Sequence, residues 1–334
     1  MRAVVNAAAD PAAVPAPAQD ATAFHRRLAE YAPTPMRALP GLAEELGLGA
    51  VLVKDESERM GLPAFKILGA SWAVERSLRD RPETHTLVAA SAGNHGRAVA
   101  HAAAQRRLGC RVFLPARSLA ARRLAIAGEG AEVVVVGGSY EDAVRQAADA
   151  AREPGVSLIA DVGDGGTAAW VIDGYATLFA EAAEQADYDV IVVPVGVGSL
   201  AAAAARHAAG RASTVIGAEP VTAACLTASL AAGAPTAVGT PGTTMAGLDC
   251  AEVSVAAWPS LRAGIAGAVT VDDTEVEVAM AELRAAGLTI GESGAAPLAA
   301  LRALVSDPRA RDLRAAAGVD QATRVLLLAT EAPW

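Results

Sequence analysis

The chain has 334 residues, 53% of them hydrophobic but only 4% aromatic, a balance carried by Ala, Val and Leu that suits helices layered on a parallel sheet in two domains. A formal net charge of −9 argues against nucleic-acid and anionic-membrane partners, which recruit basic patches. Arg, Glu or Gly interrupts every Ala-rich window, so no segment reads as a membrane span. Cys110, Cys225 and Cys250 are too widely spaced for a disulfide frame or a metal-type pair and read as reduced thiols.

Residues 1–20 carry an Ala/Pro-rich stretch broken by Asp10, without the apolar h-region of a signal peptide. They are expected to form a disordered arm, and the location is expected to be cytoplasmic. Beyond the arm, short β-branched runs alternate with Ala-rich helical stretches. In chain order the reading is strand Thr86–Ala89, helix Gly96–Arg107, strand Arg111–Leu114, helix Ser118–Gly128, strand Glu132–Val136 and helix Ser139–Arg152. Strand Asp189–Val195, helix Ser199–Ala209, strand Thr214–Gly217, helix Asp273–Ala286 and strand Arg324–Leu328 complete it, several helices opening at Ser or Asp and closing at Gly. This is the alternation of an α/β fold with open, mostly parallel twisted sheets and helices on both faces. Three strand–helix units in short order mark 86–159 as a small inserted domain, with 21–85 plus 160–334 forming the large one.

Three segments carry the chemistry. Lys66, in Pro63-Ala-Phe-Lys-Ile-Leu-Gly-Ala70, supplies an amine. Ser91-Ala-Gly-Asn-His-Gly96 follows a strand and opens a helix, so its N–H groups favour an anion such as a carboxylate. Gly196-Val197-Gly198-Ser199-Leu200 has the same strand-to-helix setting and lets amides approach a phosphate, with Ser199 adding a hydroxyl. Taken alone, that last segment equally suits a dinucleotide site, with Glu219 ending the next strand at the distance of a ribose-binding acid. Plain structural readings also exist: Lys66 as a solvated helix-start residue, Asn94 and His95 as a cap and a hydrogen-bonded histidine.

The ordered set of motifs resembles the fold-type II pyridoxal-phosphate enzymes, which include threonine dehydratases, serine racemases and, most similar, diaminopropionate ammonia-lyases. The resemblance rests on Tyr31-Ala-Pro-Thr-Pro35, Lys54-Asp-Glu-Ser57, Gly61-Leu62, Ala64-Phe-Lys66, Gly93-Asn-His-Gly-Arg97 and Gly174-Tyr-Ala-Thr177. It continues through Gly196-Val-Gly-Ser199, Met245-Ala-Gly-Leu248 with Cys250, Gly291-Glu-Ser-Gly-Ala295 and Ala329-Thr-Glu331. It implies pyridoxal 5'-phosphate held by Lys66 as a Schiff base, by Asn94, by Gly196, Val197, Gly198, Ser199 and Leu200, and by Thr330 near the pyridine nitrogen. It implies a substrate subsite of Ser91, Ala92, Gly93, His95 and Glu292, with Asp161 as an acid for a departing amine, or else an N-cap or solvated loop residue. It also implies a homodimer acting on a small-molecule amino acid.

The expected activity is α,β-elimination from 2,3-diaminopropionate, L-serine or L-threonine to a 2-oxo acid and ammonia. A β-replacement enzyme and, more remotely, an NAD-dependent oxidoreductase are the alternatives. Ala92 stands where the ammonia-lyases carry an aspartate base. A methyl group accepts no proton, so a single enantiomer, the L form, is expected to turn over. Racemase relatives bind a divalent ion at the position of Glu219, but Cys225 replaces the second carboxylate, so no metal is expected.

Overall fold

The computed structural model describes residues 2–17, 20–91, 93–163 and 165–334. The chain divides into two compact units, one built from Met1–Phe65 and Ala176–Trp334, the other from Lys66–Tyr175.

The larger unit opens with β1 (Arg2–Val5), α1 (Asp20–His25), β2 (Met36–Ala38), α2 (Pro40–Leu46) and β3 (Ala50–Asp55). The smaller unit runs α3 (Lys66–Asp80), β4 (Thr86–Ala90), α4 (Asn94–Gln105), β5 (Gly109–Pro115), α5 (Ala120–Gly128), β6 (Glu132–Val136), α6 (Tyr140–Ala150), β7 (Val156–Leu158) and α7 (Gly166–Gly174). The larger unit resumes with α8 (Ala176–Gln185), β8 (Val190–Pro194), α9 (Ser199–Ala209), β9 (Thr214–Pro220), α10 (Cys225–Ala232) and α11 (Trp258–Gly264). It closes with β10 (Ile265–Val271), α12 (Asp273–Ala285), α13 (Glu292–Ser306), α14 (Arg311–Ala316) and β11 (Arg324–Ala329).

The smaller unit holds a four-stranded sheet in the order β6-β5-β4-β7, parallel throughout. The three strand–helix units expected at 86–159 lie inside it. Its bounds run wider because α3 packs on both α4 and α7. The larger unit holds seven strands in the order β1-β10-β9-β8-β11-β3-β2, parallel except for the two edges. Strand β8 is buried at all five residues, the continuous apolar run that an interior parallel strand needs when both faces are covered. Helix α13 is buried at ten residues against β8 to β11.

The arm is a correction. Residues Arg2–Val5 form β1, an antiparallel edge on β10, and Asn6 Nδ2 then donates to the carbonyls of Arg262 (2.8 Å) and Ile265 (2.7 Å). Composition over 1–20 is dominated by Ala and Pro and hides this edge. Gly267 makes it possible, because a Cβ there would lie 2.1 Å from the Val4 carbonyl oxygen.

Candidate active site

Within the smaller unit, Lys66 is the first residue of α3 and its Nζ lies 3.4 Å from Asp161 Oδ2. Both side chains are largely buried, at 22% and 14% exposure. Asp161 follows β7 at the end of Ile159-Ala-Asp161, and the Ile159 amide donates to Val88 of β4 (2.9 Å), which fixes this exit from the sheet. Burial pushes the Asp161 carboxyl up, but the positive charges of His95 and Lys66 and the Lys66 hydrogen bond outweigh it. Its pKa therefore falls below the ordinary aspartate value.

His95 lies beside this carboxylate. Its ring is buried, Nε2 sits 3.0 Å from the Ile159 carbonyl and Nδ1 lies 3.9 Å from Asp161 Oδ2. A carbonyl only accepts, so Nε2 is the donor in this hydrogen bond. Asn94 and His95 already belong to the first turn of α4, with Gly93 as its N-cap. The Gly93 amide donates to Ser91 Oγ (3.3 Å). Gly96 lets the helix start this close to the strand, since a Cβ there would lie 2.3 Å from the Ser91 carbonyl oxygen. Ala92, expected at the substrate, lies outside the described residues.

Tyr175 is fully buried with its ring centroid 5.9 Å from Lys66 Nζ. The sequence motif contains this residue, but nothing local to it reveals the approach to Lys66. The signal is a pair of glycines far apart in the chain, Gly69 and Gly174, neither of which has room for a Cβ.

Within the larger unit, Gly196–Leu200 links β8 to α9. A Cβ on Gly196 would meet the Gly247 carbonyl oxygen at 2.7 Å and Cys250 Sγ at 3.0 Å, while Gly198 is left-handed (φ +89°). The Val197 carbonyl accepts from Ser254 N (2.8 Å), and buried Ser199 is the first residue of α9. Gly247 N in turn donates to Ser293 Oγ (3.1 Å) at the start of α13, where Glu292 is the first helical residue. Gly294 brings α13 onto the end of β11, with space for its hydrogen but not a Cβ against Thr330 N (2.8 Å). The buried Thr330 also accepts through its carbonyl from Phe65 N (3.4 Å). The glycine-rich loop, the 247 loop, the α13 start and Thr330 are thus contiguous.

Residues 28–331 match the family model described as pyridoxal-phosphate dependent enzyme. The chain belongs to that family. It is 34% identical to diaminopropionate ammonia-lyase from Salmonella typhimurium, over 92% of this chain and 87% of that protein. It is 28% identical to the biosynthetic L-threonine dehydratase IlvA of the same organism, over 85% of this chain and 54% of that protein. The crystal structure of diaminopropionate ammonia lyase from Escherichia coli, in complex with an aminoacrylate-PLP azomethine reaction intermediate, superposes with a TM-score of 0.89 at 30% identity. That match covers 99% of this chain and 93% of the other. The α/β fold expected from the sequence is that of this pyridoxal-phosphate family.

The residues present fit the family's cofactor. A left-handed glycine at the N-terminus of an eleven-residue helix presents backbone amides suited to a phosphate, and Gly196 has no room for a side chain. The dinucleotide reading loses its acid. Glu219 is fully buried and its two oxygens accept from Leu226 N (2.9 Å) and Thr227 N (2.7 Å) at the start of α10. Burial pushes its pKa up to about 7 against those hydrogen bonds, so it is neither a free ribose acceptor nor a ready cation ligand.

Proposed function

We propose that the chain catalyses pyridoxal-phosphate-dependent α,β-elimination from a β-substituted amino acid, with 2,3-diaminopropionate as first candidate and L-serine and L-threonine next. The products are a 2-oxo acid and ammonia. The observation that carries the reading is an amine, Lys66 Nζ, held 3.4 Å from the Asp161 carboxylate in a largely buried setting inside a family that uses this cofactor. When bound, the cofactor supplies an electron sink for the carbanion at the substrate Cα.

In this reading Lys66 would hold the cofactor aldehyde, the amides of Gly196–Leu200 with Ser199 would hold its phosphate, and Asn94 and Thr330 would bind its ring atoms. The α4 N-terminus with Ser91 and Gly93 takes the substrate carboxylate, and Glu292 lines the substrate side. Once the substrate amine has displaced it from the cofactor, the freed Lys66 Nζ removes the Cα proton, and the charge it gains is stabilised by Asp161 at ion-pair distance. A depressed pKa makes Asp161 a poor acid while Lys66 is charged. The Lys66 ammonium is therefore the better proton source for a departing amine, with Asp161 orienting it. The three cysteines are free thiols, which supports a cytoplasmic setting, and a homodimer goes with the family reading. Among the described residues, no helix is long and apolar enough to cross a membrane.

The test is the absorbance spectrum of the purified protein before and after borohydride, peptide mass spectrometry at Lys66, and a panel of L- and D-amino acids assayed for 2-oxo acid and ammonia. A visible band lost on reduction, a pyridoxyl adduct on Lys66, and turnover of one enantiomer are expected. Lys66→Ala should lose the adduct and at least about 1000-fold in kcat, as removal of a catalytic nucleophile or base does. A colourless protein that takes up no cofactor refutes the reading, and equal rates on both enantiomers refute its stereochemical part.

A further inference from the structure

We propose that Tyr175 is a positioning residue for the proton-moving pair Lys66–Asp161, its phenol holding the Lys66 side chain on the Asp161 side. The inference deepens the reading above and rests on it.

Gly69 follows Lys66 by three residues, about one helical turn, so it lies on the same stripe of α3. A Cβ on Gly69 would come within 2.7 Å of Tyr175 Cε1, 2.8 Å of Cζ and 2.8 Å of Val171 Cγ1. The ring therefore rests with its hydroxyl-bearing edge on bare backbone. Gly174, the last residue of α7, faces the same place: its Cβ would lie 2.4 Å from the Leu68 carbonyl oxygen and 2.8 Å from Gly69 Cα. Two glycines in mutual contact close α3 onto α7, and Tyr175 is the residue that this close approach delivers beside Lys66. A side chain at Gly69 would occupy the place the ring now takes.

The chemistry of the phenol suits holding over proton transfer. Burial pushes its pKa up to about 12, with the Lys66 charge pulling it down and Asp161 pushing it up further. It stays neutral at working pH and offers a hydroxyl dipole to a charged neighbour. Its ring centroid at 5.9 Å from Nζ is also within cation–π range.

The experiment compares wild type, Tyr175→Phe and Gly69→Ala as full-length protein. Phe keeps the packing and removes the hydroxyl; Ala at Gly69 keeps the hydroxyl and displaces the ring. Two quantities are read: the rate at which the visible band forms when pyridoxal phosphate is added to cofactor-free protein, and the division of any defect between kcat and KM. Both variants should form the band more slowly and lose about 10- to 100-fold in kcat, the range for loss of a polar contact to a charged group, with KM within about twofold. A Tyr175→Phe protein that melts with wild type and matches it in both rates overturns the proposal. So does a defect confined to KM. If Tyr175→Phe folds poorly, a Gly69→Ala protein that folds and has wild-type rates overturns it equally. Failure of the underlying reading looks different: wild type itself then carries no borohydride-trapped adduct on Lys66.

Discussion

Replacing Glu181 with Gln removes one charge from a fully buried cluster of two cations and two anions. Lys54, Glu56, Arg59 and Glu181 all have side chains at 0% exposure. Glu181 Oε1 accepts from Tyr31 Oη (2.8 Å) and Arg59 Nη1 (2.7 Å). Its Oε2 accepts from Lys54 Nζ (2.8 Å), Arg59 Nη2 (2.8 Å) and Thr34 N (3.2 Å). A glutamine keeps one acceptor and turns an NH2 donor against Arg59 or Lys54, leaving a net buried positive charge. Breaking a buried pair in this way costs about 3–5 kcal/mol. For a unit of this size that corresponds to a melting temperature lower by about 6–20 °C. Adding Lys54→Met restores neutrality and should recover a large part of the loss, which a melt of the single and double variants measures. The pH dependence has a definite sign. Burial raises the Glu181 pKa, but the Arg59 hydrogen bond and the Arg59 and Lys54 charges lower it more, so the net shift is down. Its stabilisation is therefore present above the ordinary glutamate pKa and fades as pH falls through the lower folded value. The gap between wild type and Glu181→Gln should be full at neutral pH and close in acid. A single variant costing under about 1 kcal/mol at neutral pH, or a double variant no more stable than the single, would show that the cluster is effectively solvated and refute the reasoning.

Two further outcomes are expected. Gly198→Ala puts a Cβ on a residue at φ +89° and 2.6 Å from Leu261 Cδ1, so strain of about 1–2 kcal/mol falls on the proposed phosphate loop. Cofactor affinity, followed by titrating the visible band, should drop about 5- to 30-fold, and an unchanged affinity would argue against that role. Glu219 has its pKa raised from 4.5 to about 7, so its neutral form belongs to the fold and its contribution is lost as pH rises through that window. Glu219→Gln keeps one acceptor and turns an NH2 against the Leu226 or Thr227 amide, so it should fall below wild type near pH 4. Relative to wild type it should then gain up to about 3 kcal/mol toward pH 8 in urea melts, and a pH-independent difference would contradict the burial argument.

The sequence makes β4, β5 and β6 of the smaller unit legible because each is a short apolar run followed by a helical stretch, the last of which, α6, opens on a reciprocal cap between Ser139 and Asp142. Strand β10, by contrast, reads Ile-Ala-Gly-Ala-Val-Thr-Val, and its Gly267 is explained only by Val4 arriving from the far end of the chain. Strand β3 ends in Lys54 and Asp55, a charged finish that local patterning reads as loop. What lets Lys54 lie in a strand is Glu181, 127 residues away. The site divides in the same way. Lys66 and Gly196–Leu200 stand in local motifs that single them out, while Asn94 and Asp161 come forward only through the family resemblance. The approach of His95 to Asp161, the consumption of Glu219 by the α10 amides, and the approach of Tyr175 to Lys66 all depend on contacts between distant segments that no local pattern encodes.

The Lys66–Asp161–His95 arrangement makes the charge state of one side chain depend on another. Asp161 is buried and, standing alone, would favour its neutral acid. Its carboxylate is favoured by the Lys66 amine at 3.4 Å and by the His95 ring at 3.9 Å. In any state where Lys66 Nζ is uncharged, one of those supports is gone and the Asp161 pKa must rise toward the value its burial dictates. The pair thus trades a single proton: a charged Lys66 faces a carboxylate, and a neutral Lys66 faces a carboxyl that takes up protons more readily. In the proposed reaction, where Lys66 would alternately accept and release a proton, this coupling gives it a partner whose own affinity for the proton moves in the opposite sense to the charge on the amine.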